Sequence, residues 1–142
     1  MTKAGEIEVF PTLANLALGQ DTYFLGFPYK MWGNVGDSMG GMPCAFAKKG
    51  GISTLDLGDP QVLYVDAINN EGFSGGPLFF YPDGQPSKVH VAGVVSKFKI
   101  EFEPVVDALG NETSMTISYN TGFLVAYGSK HILEIINAAG HG

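Results

Sequence analysis

Gly72-Phe73-Ser74-Gly75-Gly76-Pro77-Leu78-Phe79-Phe80-Tyr81 is the stretch that decides how this chain reads. Glycine adopts positive φ without the Cβ penalty other residues meet, so a serine set among Gly72, Gly75 and Gly76 can occupy a sharp turn. Such a turn directs successive backbone N–H groups toward one point, where an oxyanion can be held, and the amides of Gly72 and Ser74 are the natural donors. Removing one donor of this kind typically costs about 3 kcal/mol of barrier. The same residues satisfy G-x-S-x-G, the nucleophile elbow of α/β-hydrolases, which requires a helix directly after the serine. Gly75, Gly76 and Pro77 oppose helix propagation. An apolar run, Leu78-Phe79-Phe80-Tyr81, and a turn signature, Pro82-Asp83-Gly84, follow instead. The stretch therefore predicts a loop, a strand and a turn. A small α/β-hydrolase using Ser74, Asp107 and His131 keeps the chain order of that family but fails on these flanks and on the missing helix–strand alternation.

Outward from this stretch, turn signals divide the chain into short apolar runs at strand-like spacing. Strands are expected near residues 22–27, 44–48, 62–66, 76–81, 89–97 and 118–125. Six strands with hairpin-like connections suit an all-β fold, a six-stranded antiparallel Greek-key barrel. Ser129 in a capping position, apolar residues at helical spacing behind it and Gly140 beyond predict a short C-terminal helix. Residues 29–43 and about 101–115 read as loops. A second serine, in Gly36-Asp37-Ser38-Met39-Gly40-Gly41, lacks the strand lead and the uninterrupted glycine pair that surround Ser74, and reads as a flexible loop.

Composition narrows the class. A chain of 142 residues with 45% hydrophobic content can build one modest core, so one folded unit is expected. Twenty glycines and eight prolines beside only 15% charged residues suit a turn-rich β protein. A net charge of −6 argues against a nucleic-acid surface, because phosphate binding needs clustered Lys and Arg. Lys48-Lys49 and the Lys97/Lys99 pair read as solvated surface. Cys44, the single cysteine, has no internal disulfide partner and reads as a small buried residue. Asn111-Glu112-Thr113 matches a glycosylation sequon and reads as a loop. No cofactor and no metal site are expected. No signal peptide is visible and no apolar run approaches spanning length, so the expectation is no membrane span and, by default, a cytoplasmic location.

Asp66-Ala67-Ile68-Asn69-Asn70-Glu71-Gly72-Phe73-Ser74-Gly75-Gly76-Pro77-Leu78 resembles the nucleophile loop of trypsin-like serine peptidases of the chymotrypsin fold, the bacterial HtrA-type group above all. Leu25-Gly26-Phe27-Pro28 resembles the Gly-x-Pro strand end of that family, and Gly51-Ile52-Ser53 its Gly-x-Ser turn. Val91-Ala92-Gly93-Val94-Val95 is similar to the strand after the nucleophile. Gly122-Phe123-Leu124-Val125-Ala126 is similar to a closing strand before a C-terminal helix. The resemblance implies the C-terminal barrel of a double-barrel peptidase over residues 18–139, with residues 1–17 as an interdomain-type linker. Ser74 would be the nucleophile, and the amides of Gly72 and Ser74 the oxyanion hole. Ile68 would form the floor of the substrate pocket, between walls made by Ser96-Lys97-Phe98 and Thr121-Gly122-Phe123. An apolar floor implies a preference for small or medium aliphatic side chains.

A serine hydroxyl is a weak nucleophile until an adjacent base takes its proton. His90, His131 and His141 all follow Ser74, whereas the histidine and aspartate of the resembled family precede its serine and lie on the first barrel. Glu6-Ile7-Glu8-Val9-Phe10 is only faintly similar to the strand that carries the aspartate, so Glu6 is left out of the site. The resemblance thus implies an incomplete triad. Serine peptidases that lose a triad member keep about 10³–10⁴-fold catalysis over water, so trace activity at most is expected unless another chain supplies the base. Phe73 stands where relatives carry Asp or Asn, so packing must hold the loop or leave it loose. The implied partners are a peptide or protein substrate and an N-terminal barrel. A homodimer is expected where that barrel is missing, because the segment Ile7 to Leu18 would then lose its apolar contacts. The alternative is a protease-like domain that binds extended peptides by strand addition without chemistry.

Overall fold

The computed structural model describes residues 8–140. Seven strands and one helix follow in chain order: β1 (Glu8–Pro11), β2 (Asp21–Gly26), β3 (Phe46–Asp56), β4 (Val62–Asp66), β5 (Pro77–Phe80), β6 (Lys88–Val106), β7 (Glu112–Gly128) and α1 (Ser129–Gly140). Their hydrogen-bonded order is β1-β6-β5-β2-β3-β4-β7, and β6 also pairs with β7. Six strands therefore close into a ring, with β1 outside it. Every pairing in the ring is antiparallel, while β1 runs parallel to β6 from Glu8↔Lys88 to Pro11↔Val91.

Period-two alternation, interrupted on β6 where its register against β5 shifts between Leu78 and Phe79, decides which side chains fill the ring. Phe24 on β2, Leu63 and Val65 on β4, Leu78 and Phe80 on β5, Ala92 and Val95 on β6, and Leu124 and Ala126 on β7 are buried together, with Ile52 of β3. Burying each large apolar side chain contributes roughly 1.5–3 kcal/mol. The helix is tied to the ring through His131, whose Nε2 accepts the Gln61 N–H at 3.0 Å.

β2, β4, β5 and α1 form where the sequence places them; three expectations need correction. β3 runs on to Asp56, so Gly51-Ile52-Ser53 is not a turn but part of a strand, with a register shift between Ile52 and Thr54. Residues expected as a linker include β1, which adds to the outer edge of β6. Most consequential, residues 101–115 are not an open loop. β6 and β7 continue past the ring as a two-stranded ribbon, paired as far as Val106↔Glu112. Asp107 closes its tip, accepting the amides of Leu109 at 2.9 Å and Asn111 at 3.0 Å. Alternation along Glu101-Phe102-Glu103 and Thr116-Ile117-Ser118-Tyr119 supports those strands.

This topology positions the serine. β5 begins at Pro77, opposite Val94 of β6, so the loop before β5 lies beside Val95 and Ser96. Farther along, β6 has only β7 as a neighbour among the described strands.

Candidate functional site

Ser74 lies on the loop between β4 and β5, and that loop is strapped on both sides. Phe27 N–H donates to the Gly72 carbonyl at 3.0 Å and Tyr29 N–H to the Glu71 carbonyl at 3.3 Å. On the other flank Gly75 N–H donates to the Val95 carbonyl at 2.7 Å, and Val95 N–H to the Gly76 carbonyl at 2.9 Å. Gly76 N–H closes the turn on the Phe73 carbonyl at 3.0 Å. A trans peptide points its C=O and N–H in opposite directions. With the Glu71 and Phe73 carbonyls so engaged, the N–H groups of Gly72 and Ser74 face away from those partners. Neither N–H has a backbone acceptor among the described residues.

Two glycines allow this approach of chain to chain. Gly72 has φ +102, and a Cβ there would collide with the Phe27 carbonyl. At Gly26, where β2 ends, a Cβ would lie 2.5 Å from the Gly72 oxygen and 2.6 Å from the Phe73 ring. Phe73 itself is fully buried, edge-on to Phe24 with ring centroids 5.2 Å apart. Of the two alternatives the sequence posed for this residue, the loop is therefore held by packing.

Lys48 adds a polar strap that sequence reading missed. Its Nζ donates to the Ile68 carbonyl and, at 3.0 Å, to Asn70 Oδ1, and it stands 5.7 Å from the centre of the Phe73 ring. Lys48 is thus not a solvated surface residue, and burial pulls its ammonium below the usual lysine range. Its neighbour Lys49 is exposed and pairs with Asp21 at 3.1 Å. Adjacent strand residues point to opposite faces, the signal that separates the two lysines once β3 is drawn. Asn120 is a second missed strap: its Nδ2 donates to the Asn69 carbonyl at 2.8 Å, and its Oδ1 accepts Gly122 N–H at 3.0 Å.

The Ser74 hydroxyl is exposed and donates to the Ser96 carbonyl at 2.9 Å. It opens on a cleft of about 400 Å³ whose other walls include Leu25, Phe27, Ala45 and Pro77. Of the expected pocket residues, Ser96 meets Ser74 directly. Thr121 and Gly122 are brought beside the segment leading to the serine, because Ala67 N–H donates to the Gly122 carbonyl at 2.9 Å. Ile68 is 57% exposed and does not line the Ser74 cleft. Lys97 is exposed on β6, and Phe98 pairs with Leu124. Phe123 lines a different cleft, of about 380 Å³, with Ser53, Thr54 and Tyr64.

Both described histidines are engaged elsewhere. His90 Nδ1 lies 3.1 Å from the Ala14 carbonyl. His131 holds Gln61 through Nε2 and lies 3.3 Å from Glu134 through Nδ1. His141 and Glu6 fall outside the described residues. A strand rather than a helix follows Ser74, Asp107 sits at the ribbon tip and His131 on α1, so the α/β-hydrolase assignment is excluded. Ser38 bonds back within its own 3₁₀ turn, donating to the Val35 carbonyl at 2.6 Å. Cys44 is half-buried, bridged to Gly33 by backbone hydrogen bonds.

Among the described residues no group of three His, Cys, Asp or Glu side chains could hold a metal ion, and no helix is long and apolar enough to cross a membrane. Comparisons with protein-family models, with curated proteins and with solved structures gave no match to this chain.

Proposed function

We propose that this chain carries the nucleophile-bearing half of a trypsin-like serine endopeptidase. The observation that carries the reading is the exposed Ser74 hydroxyl on a cleft, flanked by the Gly72 and Ser74 amides that no backbone carbonyl among the described residues occupies. The order β5-β2-β3-β4 supports it: three consecutive strands with a fourth returning beside the first is the Greek-key pattern. The strapped, packed serine loop supports it too, since oxyanion donors act through pre-organisation.

In this reaction Ser74 Oγ attacks the scissile carbonyl carbon while its proton passes to a base. The carbonyl oxygen, now an oxyanion, is held by the N–H groups of Gly72 and Ser74. The base returns the proton to the leaving amine, and water then releases the acyl group. The Ser96 carbonyl that now accepts the hydroxyl cannot take up the proton, so a productive base must draw the hydroxyl away from it. Neither His90 nor His131 is placed to do so, and the imidazole comes from outside residues 8–140, as on an N-terminal barrel. The apolar walls of the cleft offer no carboxylate to Lys or Arg, which favours small or medium aliphatic side chains next to the scissile bond.

A fluorophosphonate probe tests the reading. Ser74 is expected to be labelled when a barrel carrying His and Asp is supplied, with only trace labelling alone and none in Ser74→Ala. Absence of labelling under both conditions contradicts it and favours the second reading, a peptide-binding domain without chemistry. That reading draws on the hydrogen bond that now engages the hydroxyl with Ser96.

A further inference from the structure

β2 ends at Gly26 against the serine loop. At its other end the outer face of the ring holds a cleft of about 210 Å³, lined by Gln20, Asp21, Tyr23, Tyr81, Gly84 and Pro86. Alternation puts these side chains there. Thr22 and Phe24 point into the ring, so Asp21 and Tyr23 point out. Tyr23 lies opposite Lys49 on β3 and Phe79 on β5, and three rings gather on this face. Phe79 stacks on Tyr23 with centroids 5.8 Å apart and stands edge-on to Tyr81 at 6.0 Å. Tyr23 and Tyr81 meet at 5.5 Å, inclined by 62°. Phe79 is not part of the lining, so it backs the two tyrosines and fixes the corner they form.

The lining selects a ligand class. Among the described residues Asp21 is the one charged group on it, and Lys49 pairs with Asp21 Oδ2 at 3.1 Å. The two charges cancel, which disfavours an ion as ligand. Asp21 Oδ1 remains an acceptor, the Gln20 amide offers both donor and acceptor, and so does each tyrosine hydroxyl. The faces of the rings are electron-rich and attract C–H groups. Two rings inclined at 62° make a corner, so a flat heterocycle can stack on only one of them. A saccharide ring meets all of these features. It is uncharged and puckered, with an apolar C–H face and a rim of hydroxyls that donate and accept. The cleft, smaller than one built for a drug-sized molecule, suits a single such ring.

We propose that this corner binds one neutral sugar ring, with its C–H face on Tyr23 and Tyr81 and its hydroxyls on Asp21 Oδ1 and Gln20. The site goes beyond the reading of Ser74 and does not rest on it, since it shares no lining residue with the serine cleft. Phe79 behind the rings and Lys49 beside the carboxylate hold both kinds of contact in place before a ligand arrives, which lowers the ordering cost of binding. A free monosaccharide and the end residue of a glycan present the same hydroxyls and differ at the anomeric carbon.

The test is a nuclear magnetic resonance titration of the whole chain with glucose, galactose, mannose and N-acetylglucosamine, with their methyl glycosides, and with choline. At least one sugar is expected to shift the amides of Gln20, Asp21, Tyr23, Tyr81 and Gly84 at millimolar concentration, and to bind more tightly than choline. Tyr81→Ala is expected to weaken that sugar by about tenfold. Asp21→Asn and Gln20→Ala, each removing one polar contact at an outward-facing position, are expected to weaken it by about fivefold and keep the test open if Tyr81→Ala does not fold. Thermal midpoints report whether each variant retains the ring. A methyl glycoside that binds as well as its free sugar assigns the end of a glycan, and binding by the free sugar alone assigns a monosaccharide. Absence of shifts with every sugar overturns the inference, as does binding that is unchanged in all three variants. Choline binding more tightly than every sugar also overturns it and names a cation as the ligand. Fluorophosphonate labelling of Ser74 stands or fails independently of these outcomes.

Discussion

Within the ring, β6 buries Ala92 and Val95 completely and receives the Ser74 loop through two main-chain hydrogen bonds at Val95; past Ser96 the same strand leaves the ring and holds Phe102 and Val106 in solvent. One strand thus serves two regions under opposite constraints. The serine loop is over-determined, with Phe73 in the core, Lys48 across its approach and Gly26 and Gly72 in van der Waals contact with neighbouring chain. The ribbon has cross-strand pairs and little else. The difference teaches where chemistry can reside. Holding two amides in place needs buried support, while a two-stranded ribbon leaves its outer edges unpaired among the described strands.

Mutations can break that contrast. Phe73→Ala is expected to cost about 3–5 kcal/mol in urea unfolding, since it empties a fully buried site between Phe24 and the serine loop. A loss below about 1 kcal/mol would show that the loop is not anchored through this ring. Gly26→Ala is expected to cost about 1–3 kcal/mol, because the added methyl meets the Gly72 carbonyl and the Phe73 ring. Amide shifts in the nuclear magnetic resonance spectrum should move at Gly72, Phe73 and Ser74, and movement confined to β2 would contradict the account. Phe102→Ser on the ribbon is expected to change stability by no more than about 0.5 kcal/mol, as an exposed position away from the core. A large loss there would mean that the ribbon is part of the folding unit.

The smallest effect is electrostatic. Burial lowers the Lys48 pKa below 10.5 in the folded chain. Between that lowered pKa and 10.5 the unfolded chain keeps a proton that the folded chain has released, so the Lys48 contribution to stability rises with pH across this window. Below it, the folded state bears the full cost of keeping the ammonium partly out of water. Titration of the Lys48 Cε shift should give a midpoint below that of the exposed Lys49, whose pairing with Asp21 raises it. The reverse order would remove Lys48 from the serine-loop support.

Much of the ring was legible in the sequence, because β2, β4 and β5 alternate cleanly between turn signals. The serine loop was legible for the same reason and because glycine flanks it. The ribbon was not. Pro104 and the turn around Gly110 punctuate it like a loop, and its alternation carries no buried face to reinforce the pattern. Lys48 was hidden for a different reason: its role depends on which face of β3 it occupies and on a loop 20 residues away. Phe73 was read as a departure that could loosen the loop, and only the position of Phe24 shows that its ring fills the core instead.

The central claim concerns a nucleophile waiting for a base, and chemical rescue addresses it most directly. A fluorophosphonate is incubated with the chain while free imidazole is raised, and the peptide containing Ser74 is weighed by mass spectrometry. Imidazole can take the proton as Oγ attacks phosphorus and fluoride leaves, so adduct at Ser74 is predicted to increase with imidazole and to be absent in Ser74→Ala. No adduct at Ser74 at any imidazole concentration, or an equal adduct in the Ser74→Ala chain, would contradict the account.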